Sequence, residues 1–166
     1  MRLQGTFLRS IALLGLLFCL VGCDHVTKAL AKSELEARPA QALIDPVLKL
    51  RYVENTDVAF NLLRWVPPNV REPLLLGTGA LAILAVSALL LSSRISGRAR
   101  AGLLLVLAGA LGNYADRVWR GYVVDFIHVT HWPVFNVADV LIVVGGALLL
   151  SGHIRLGSVR WPRARA

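Results

Sequence analysis

The fold is decided by residues 73–93, PLLLGTGALAILAVSALLLSS, which contain no charged side chain. A helix needs about 20 residues to cross a hydrocarbon core of roughly 30 Å. This stretch is long enough and apolar enough to meet that requirement. It therefore predicts a transmembrane helix, and the rest of the chain can be examined for others.

Three more segments extend this pattern, so that we predict helices at about 6–30, 73–93, 99–119 and 134–153. The composition agrees, since 56% of the 166 residues are hydrophobic and only 17% are charged. A soluble domain of this length needs more polar surface, because small proteins have a high ratio of surface to volume. We therefore expect one membrane-embedded domain over residues 1–166, an all-α polytopic protein with four transmembrane helices.

The distribution of charge predicts the orientation of these helices. Half of the 18 basic residues, and none of the ten acidic ones, lie in the N-terminal segment, the 94–100 loop and the C-terminal tail. They are Arg2, Arg9, Arg94, Arg98, Arg100, Arg155, Arg160, Arg163 and Arg165. The positive-inside rule places these segments, and hence both termini, in the cytoplasm. The net charge of +8 then indicates contact with anionic lipid headgroups rather than nucleic acid.

The segment at about 33–72 is too polar to lie in lipid and is predicted to be extracytoplasmic. Residues 47–53 alternate between apolar and polar in the manner of a strand, and residues 58–63 are a second candidate. We expect a small sheet on the outer membrane surface. Pro67 and Pro68 then predict a break before the second span.

Polar residues collect at the outer ends of three predicted spans and in the connection between the last two. They are Asp24, Asn113, Asp116, Arg117, Asp125, Asn136 and Asp139. A charge at bilayer depth costs several kcal/mol, so such residues are candidates for function. The competing interpretation is that they cap helices and hold the bundle together. The predicted topology brings all of them to one depth, which favours a functional site for the set as a whole.

Two carboxylates are the chemistry that this set offers. Held close together they do not both ionise easily, so one keeps a proton while the other activates a water molecule. Cys19 and Cys23 lie in lipid-like surroundings that make thiols inert, and no phosphate-binding loop occurs. We expect no cofactor and no metal. Residue types and spacing leave Asp116, Asp125 and Asp139 as equal candidates for the pair.

Five blocks of sequence in order resemble the lipoprotein signal peptidase (signal peptidase II) family over nearly the full length of the chain. They are Asp24-His-Val-Thr-Lys28, Asn55-Thr-Asp-Val-Ala-Phe60, Gly112-Asn-Tyr-Ala-Asp-Arg117, Val124-Asp-Phe126 and Phe135-Asn-Val-Ala-Asp139. Each block is weak alone, but all five fall at a predicted outer membrane boundary.

The resemblance implies an aspartyl endopeptidase of the bacterial inner membrane, with its site near the periplasmic face. Its substrates would be diacylated prolipoproteins, cut just before the lipidated cysteine, and we expect it to act as a monomer. The resemblance also implies that Asp125 and Asp139 are the catalytic pair and that Asp116 is structural. Supporting positions carried over from the blocks are Asp24, Asn55, Asn113, Arg117 and Asn136.

The chain departs from the family pattern at several positions beside these blocks. His25 replaces a usual glutamine, Val140 replaces a frequent serine, and Asp57 and Val58 replace Gly-Ala in the pattern Asn-x-Gly-Ala-Ala-Phe. Loss of that glycine removes a residue that tolerates positive φ, and Asp57 adds a charge near the expected site. We interpret these changes as those of a divergent paralogue with altered substrate preference or inhibitor sensitivity.

One alternative is that the chain is itself a lipoprotein. Basic residues at its start, an apolar stretch from Ile11 and the string Leu20-Val-Gly-Cys23 form an acceptable lipobox. Cleavage there would remove the first span, which argues against this interpretation.

A second alternative is a metal hydrolase, because Asp125, His128 and His131 are spaced three apart. Residues at that spacing drift around a helix, and Trp132-Pro133 follows directly. Two histidines on a wet interfacial loop explain the pattern better.

A third alternative is a non-enzymatic bundle that binds lipid or a partner protein. In that case Asn at positions 125 and 139 would leave its activity intact.

Overall fold

The computed structural model of the chain describes residues 2–57, 62–92 and 95–153. Within these ranges the elements follow in the order α1 (Arg2–Leu35), β1 (Gln41–Ile44), β2 (Leu48–Asn55), α2 (Pro68–Leu91), α3 (Gly97–Arg120), β3 (Val123–Val129) and α4 (Val137–His153). The protein is therefore mostly helical and carries one small antiparallel sheet, as predicted.

Two of the described helices are long and apolar enough to cross a membrane. They are α2 and the part of α1 from Ile11 to Leu35, while α4 holds a shorter apolar stretch, Val137–Ser151. Helix α2 begins at Pro68, five residues before the predicted start, because a proline fits the first turn, where its missing N–H is not needed. None of the α2 residues, all of which are described, is buried within the chain. Such a helix suits contact with lipid on most of its surface.

Helix α3 lies at the centre and packs against α1, α2 and α4. Its N-terminus is capped by Ser96, whose side chain accepts a hydrogen bond from the Ala99 N–H at 3.2 Å. Its C-terminus ends at Gly121, which adopts the left-handed conformation at φ 77°. Between the two caps, α3 buries an apolar stripe and then, near its end, Asn113 and Asp116. The central helix thus delivers polar groups to the interior at one end of the bundle.

Helices α3 and α4 approach so closely that glycine is required between them. A Cβ on Gly145 would lie 2.6 Å from the Gly102 carbonyl oxygen, and one on Gly102 would lie 2.8 Å from the Gly145 carbonyl oxygen. Gly109 faces the Ala138 backbone in the same way. Small residues on both helices therefore let their backbones come close.

We expect Gly145→Ala to destabilise the protein by about 1–3 kcal/mol, because the added methyl group meets backbone atoms that cannot move aside. Gly146→Ala is the matched control, since no described atom lies within 4 Å of its would-be Cβ. This control should leave stability unchanged or raise it by up to about 1 kcal/mol. Thermal unfolding of both purified variants in one detergent measures the difference. Equal unfolding temperatures would contradict the close contact.

The three strands form an antiparallel sheet in the order β1-β2-β3. Strand β2 confirms the predicted strand at 47–53, but β3 lies in the connection between α3 and α4, where no strand was predicted. Pairs such as Val53↔Asp125 and Asn55↔Val123 join the two. Of the second candidate, 58–63, residues 58–61 lie outside the described residues, and Leu62 and Leu63 lie in a turn.

The sheet determines which ends of the helices lie together. Because β2 follows α1 and β3 follows α3, their pairing brings the C-terminal ends of those two helices and the start of α4 to one side. A small apolar cluster of Ala31, Leu35 and Phe126 packs between the sheet and the end of α1. Helix α1 accordingly continues to Leu35, beyond the predicted end near residue 30.

Helix α4 begins three residues later than predicted. Phe135 is still extended there, and it exchanges backbone hydrogen bonds with Ile127 in β3 at 2.8 and 2.9 Å. Asn136 then caps the helix, so that Val137 is its first residue. The delay matters for function, because it places Asp139 in the first turn.

Candidate active site

Asp125 lies on β3 and is almost fully buried, with 2% of its surface exposed. Its carboxylate accepts two hydrogen bonds from side-chain amides. Asn136 Nδ2 donates to Oδ1 at 2.7 Å, and Asn55 Nδ2 donates to Oδ2 at 2.9 Å. Three separate segments of the chain therefore meet at this one carboxylate.

Asp139 lies in the first turn of α4 and is half-buried. Its Oδ2 accepts from the Asn136 backbone N–H at 3.1 Å, while Asn136 Oδ1 accepts from the Asp139 N–H at 3.0 Å. This reciprocal pair is a capping box. Asp139 Oδ1 accepts a further bond from Asn113 Nδ2 at 2.8 Å, which ties α4 to α3.

Two asparagines connect the carboxylates to each other. Asn136 Nδ2 contacts Asn113 Oδ1 at 3.1 Å as well as Asp125 Oδ1. A continuous chain of amides thus runs from Asp125 through Asn136 and Asn113 to Asp139. Each link fixes the amide orientation of the next, so both carboxylates are held in a defined geometry.

Asp125 and Asp139 both line a cavity of about 830 Å³ between the sheet, α3 and α4. Asn55, Asn113 and Arg117 also line it, so the cavity brings together the two predicted catalytic residues and three of the predicted supporting ones. Its remaining wall includes the apolar residues Val123, Trp132, Pro133, Val134, Phe135, Ile142 and Val143. A cavity of this size and mixed character can admit an extended peptide segment.

The pKa of Asp125 is raised to about 6. Burial is the main cause, and the nearby charge of Asp139 adds to it. The amide donors of Asn55 and Asn136 and the charge of Lys28 act in the opposite direction. A carboxyl group with this pKa can hold a proton close to neutral pH while its neighbour is ionised.

Arg117 lies at the edge of the cavity, with its guanidinium held by backbone oxygens. It donates to the Asp57 carbonyl at 3.0 Å and to the Asn113 carbonyl at 3.3 Å. These bonds join the loop after β2 to α3. Arg117 also places a positive charge near both candidate carboxylates.

Lys28 is completely buried beside the site and is a residue that the sequence analysis missed. Its ammonium contacts Asp24 Oδ2 at 2.7 Å and Asp116 Oδ2 at 2.9 Å, and it donates to Asn113 Oδ1 at 2.9 Å. The only signal in the sequence is its position four residues after Asp24, which puts both on one helix face.

Asp116, the third carboxylate candidate, does not share the cavity with the other two, judged by the described residues that line it. It pairs with Lys28 and with Arg120, and it accepts from the Val124 N–H at 3.4 Å. Its partner within α3 is Arg120, one turn further along the helix. The structure leaves Asp125 and Asp139 as neighbours and directs Asp116 to the buried ion pair.

Asp24, also fully buried, supports the start of α4. Its Oδ1 accepts from the Ala138 N–H at 2.9 Å, one of the first-turn donors that a helix cannot satisfy internally. A Cβ on Gly112 would lie 2.5 Å from Asp24 Oδ2, so the glycine leaves room for this carboxylate. Asp24 therefore acts on Asp139 through the position of the helix that carries it.

The residues that departed from the family pattern fall in different places. Asp57 is buried at the cavity, whereas residues 58–60 of the same block lie outside the described residues. His25 lies against Trp119 with 6.0 Å between ring centroids, and Val140 is exposed on α4. Of these, Asp57 is the one that touches the candidate site.

Two alternatives lose support from this geometry. Asp125, His128 and His131 do not come together as a metal site, and residues 2–57, 62–92 and 95–153 contain no group of three His, Cys, Asp or Glu placed to hold one. The lipobox string ending at Cys23 lies inside the continuous helix α1, whose later residues Asp24 and Lys28 belong to the buried network.

Comparison with known proteins gives a family match over most of the chain. The family described as Signal peptidase (SPase) II matches residues 16–155. The lipoprotein signal peptidase of Syntrophomonas wolfei subsp. wolfei is 36% identical over 150 residues, which cover 90% of this chain and 91% of that relative. The lipoprotein signal peptidase of Geobacter sulfurreducens is 37% identical over 136 residues, covering 80% of this chain and 84% of that one.

The fold also matches solved structures. A bacterial membrane enzyme solved by the in meso method at 2.3 Å resolution superposes with a TM-score of 0.78 at 22% identity. The match covers 93% of this chain and 94% of that structure. At this identity the likeness concerns the fold alone.

Proposed function

This chain belongs to the signal peptidase II family and is a membrane peptidase that processes prolipoproteins; on that premise we propose that Asp125 and Asp139 form its catalytic aspartyl pair. The observation that carries the assignment is the shared cavity, in which these two carboxylates are joined through Asn136 and Asn113. The interpretation as a non-enzymatic bundle is not favoured.

In the proposed reaction one carboxyl group is ionised and the other holds a proton. The ionised group removes a proton from a water molecule as its oxygen attacks the scissile carbonyl carbon. The protonated group donates to the carbonyl oxygen, so a tetrahedral intermediate forms without a covalent bond to the enzyme. Its collapse breaks the C–N bond, and the leaving amine takes up a proton from the pair.

The supporting residues position these groups. Asn55 and Asn136 direct donors at Asp125, and Asn113 does so at Asp139. Arg117 supplies positive charge at the cavity edge, where it can offset charge that develops on the substrate carbonyl oxygen. Asp24 keeps the start of α4, and with it Asp139, in place.

We further propose that the chain crosses the bacterial inner membrane four times, with both termini in the cytoplasm. The basic residues of the 94–100 loop support this, as does the pairing of β2 with β3, which gathers the two other connections at the opposite end. The site would then lie near the periplasmic face. The acyl chains of a diacylated prolipoprotein could remain in lipid while the bond before the lipidated cysteine enters the cavity.

The proposal is tested by measuring turnover of a purified diacylated prolipoprotein by the full chain and by variants carrying asparagine at position 125 or 139. Loss of cleavage in both variants, with the fold retained, is the expected result. Cleavage at the wild-type rate in either variant would remove that residue from the pair.

The pH dependence follows from the raised pKa of Asp125, about 6. Below this pH the pair holds one proton, and above it both carboxylates are ionised and the acid is lost. We therefore expect kcat/KM to fall as the pH rises through about 6, approaching about tenfold per pH unit. The fall of kcat should occur at higher pH, because bound substrate displaces water and so disfavours ionisation of the second carboxyl group.

Steady-state kinetics across the pH range in which the protein stays folded measures both curves. The apparent pKa belongs to the coupled pair rather than to Asp125 alone. A kcat/KM that instead rises through about pH 6 would mean that Asp125 must be ionised before any activity appears, which contradicts the shared proton.

A further inference from the structure

The Asn55 amide is held from both sides. Its Nδ2 donates to Asp125 Oδ2 at 2.9 Å, and its Oδ1 accepts from the backbone N–H of Asp57 at 2.9 Å. If the amide turned over, its oxygen would face a carboxylate oxygen and the Asp57 N–H would lose its acceptor. The position of Asp57 therefore decides which end of Asn55 faces the candidate catalytic pair.

Asp57 is itself fixed by three different parts of the chain. Only 3% of its surface is exposed. Its Oδ1 accepts from the Leu63 N–H at 3.0 Å, its Oδ2 lies 3.7 Å from Arg71 Nη1 on α2, and its carbonyl accepts from Arg117 Nη2 on α3 at 3.0 Å. A residue attached in this way cannot shift without moving its neighbours.

The side chain of Asp57 supplies two of these three attachments. With glycine, the residue of the family pattern, only the backbone contacts to Asn55 and Arg117 would remain. The carboxylate adds the hydrogen bond from the Leu63 N–H and the electrostatic attraction of Arg71. Burying a carboxylate is costly unless it is paired and hydrogen-bonded, and here it is both.

We propose that Asp57 is a positioning residue, whose carboxylate fastens the loop after β2 to α2 and thereby holds the Asn55 amide against Asp125. This inference rests on the proposed role of Asp125 in the catalytic pair. Asp57 need not touch substrate in this role, because it acts through Asn55.

The consequence for chemistry follows from the hydrogen bond that Asn55 gives to Asp125. That bond favours the ionised carboxylate, so weakening it raises the pKa of Asp125. The other groups that act on Asp125 lie outside this loop: Asn136 and Asp139 at the start of α4, Arg117 on α3 and Lys28 on α1. When the side-chain attachments of Asp57 are lost, the pair should therefore lose its shared proton at a higher pH.

The test compares Asp57→Ala with wild type in the full chain, using a purified diacylated prolipoprotein as substrate. We expect kcat to fall by roughly tenfold to a hundredfold, with KM changed by less than about threefold, because the loop misplaces a catalytic contact rather than a binding one. The fall of kcat/KM with pH should move to higher pH. Asp57→Asn keeps an acceptor for the Leu63 N–H but loses the attraction of Arg71, so its pH curve should lie between those of wild type and Asp57→Ala. Asp45→Ala, an exposed aspartate on the turn before β2, is the control.

A double-variant cycle shows whether the effect passes through Asn55. If it does, adding Asp57→Ala to Asn55→Ala costs little further activity and moves the pH curve no further. If the activity losses of the two single variants instead multiply in the double variant, the proposal is overturned. A lower kcat of Asp57→Ala with an unmoved pH curve would also overturn it. Activity is expressed per folded molecule at each pH, so reduced stability cannot imitate the expected result.

The outcome is separable from that of the proposed function. If Asp125→Asn is inactive and Asp57→Ala leaves the pH curve in place, only the role of Asp57 fails. If Asp125→Asn turns over substrate normally, the catalytic pair fails first, and with it the premise of this inference.

Discussion

Asparagine at position 125 or 139 is expected to lower the turnover of diacylated prolipoprotein by about 10⁴-fold or more, since each change removes one partner of a pair that acts as a unit. An amide can neither hold the shared proton nor accept one from water. The change is nearly isosteric, so the fold should persist. At position 139 it leaves an oxygen that can still accept the Asn136 N–H, and the cap of α4 should weaken without being lost.

Single-turnover cleavage by purified variants measures this loss, and the unfolding temperature of the same samples checks that each is folded. Asp116→Asn is the control that separates a catalytic role of a buried aspartate from a structural one. Asp116 faces Lys28 and Arg120, so this variant should lose stability yet retain cleavage per folded molecule within about tenfold. If Asp116→Asn proves inactive while either other variant cleaves normally, the pair has been assigned wrongly.

Lys28→Met is expected to cost about 3–5 kcal/mol of unfolding free energy, because it removes one partner of a buried ion pair. The lysine is fully buried between Asp24 and Asp116, and methionine fills a similar volume without the charge. The Asp24 carboxylate would lose its lysine, and Asp116 would keep only Arg120. A buried charge without its partner is strongly destabilising, because no solvent replaces the lost interaction.

Lys32→Met is the matched control, because it lies one turn further along α1 with 43% of its side chain exposed. Its contacts with Glu36 and Tyr122 are near the surface, so its loss should destabilise the protein far less than the loss of Lys28. Thermal or denaturant unfolding in one detergent compares the two variants. Similar losses for both would show that the buried network contributes little to stability.

Hydropathy was sufficient to predict the four described helices, because each contains an apolar stretch that stands out from the polar segments around it. Strand β2 could also be predicted, since it alternates between apolar and polar residues. Strand β3 could not. Its residues, Val-Val-Asp-Phe-Ile-His-Val, are short of a regular alternation, and its identity as a strand depends on pairing with β2 from a distant part of the sequence.

The site shows the same division. Carboxylates at outer helix ends could be recognised singly, because each breaks an apolar pattern. Which of them are neighbours depends on the direction of side chains around α3 and on the twist of β3, which no local pattern contains. Asp116 and Asn113 lie one turn apart on the same helix, and both contact Lys28. Asp116 also pairs with Arg120, whereas Asn113 donates a hydrogen bond to Asp139. The family blocks selected Asp125 and Asp139 where the physical argument from sequence alone had left three candidates.

The capping box of Asn136 and Asp139 makes one carboxylate serve both the start of a helix and the proposed chemistry. The ends of helices are where local opening is easiest, since their hydrogen bonds have the fewest neighbours. Fraying of a single turn of α4 would turn Asp139 away from Asp125 while leaving the rest of the bundle intact. The bonds from Asp24 and Asn113 to this turn would then protect activity as well as the fold, because they oppose that local opening.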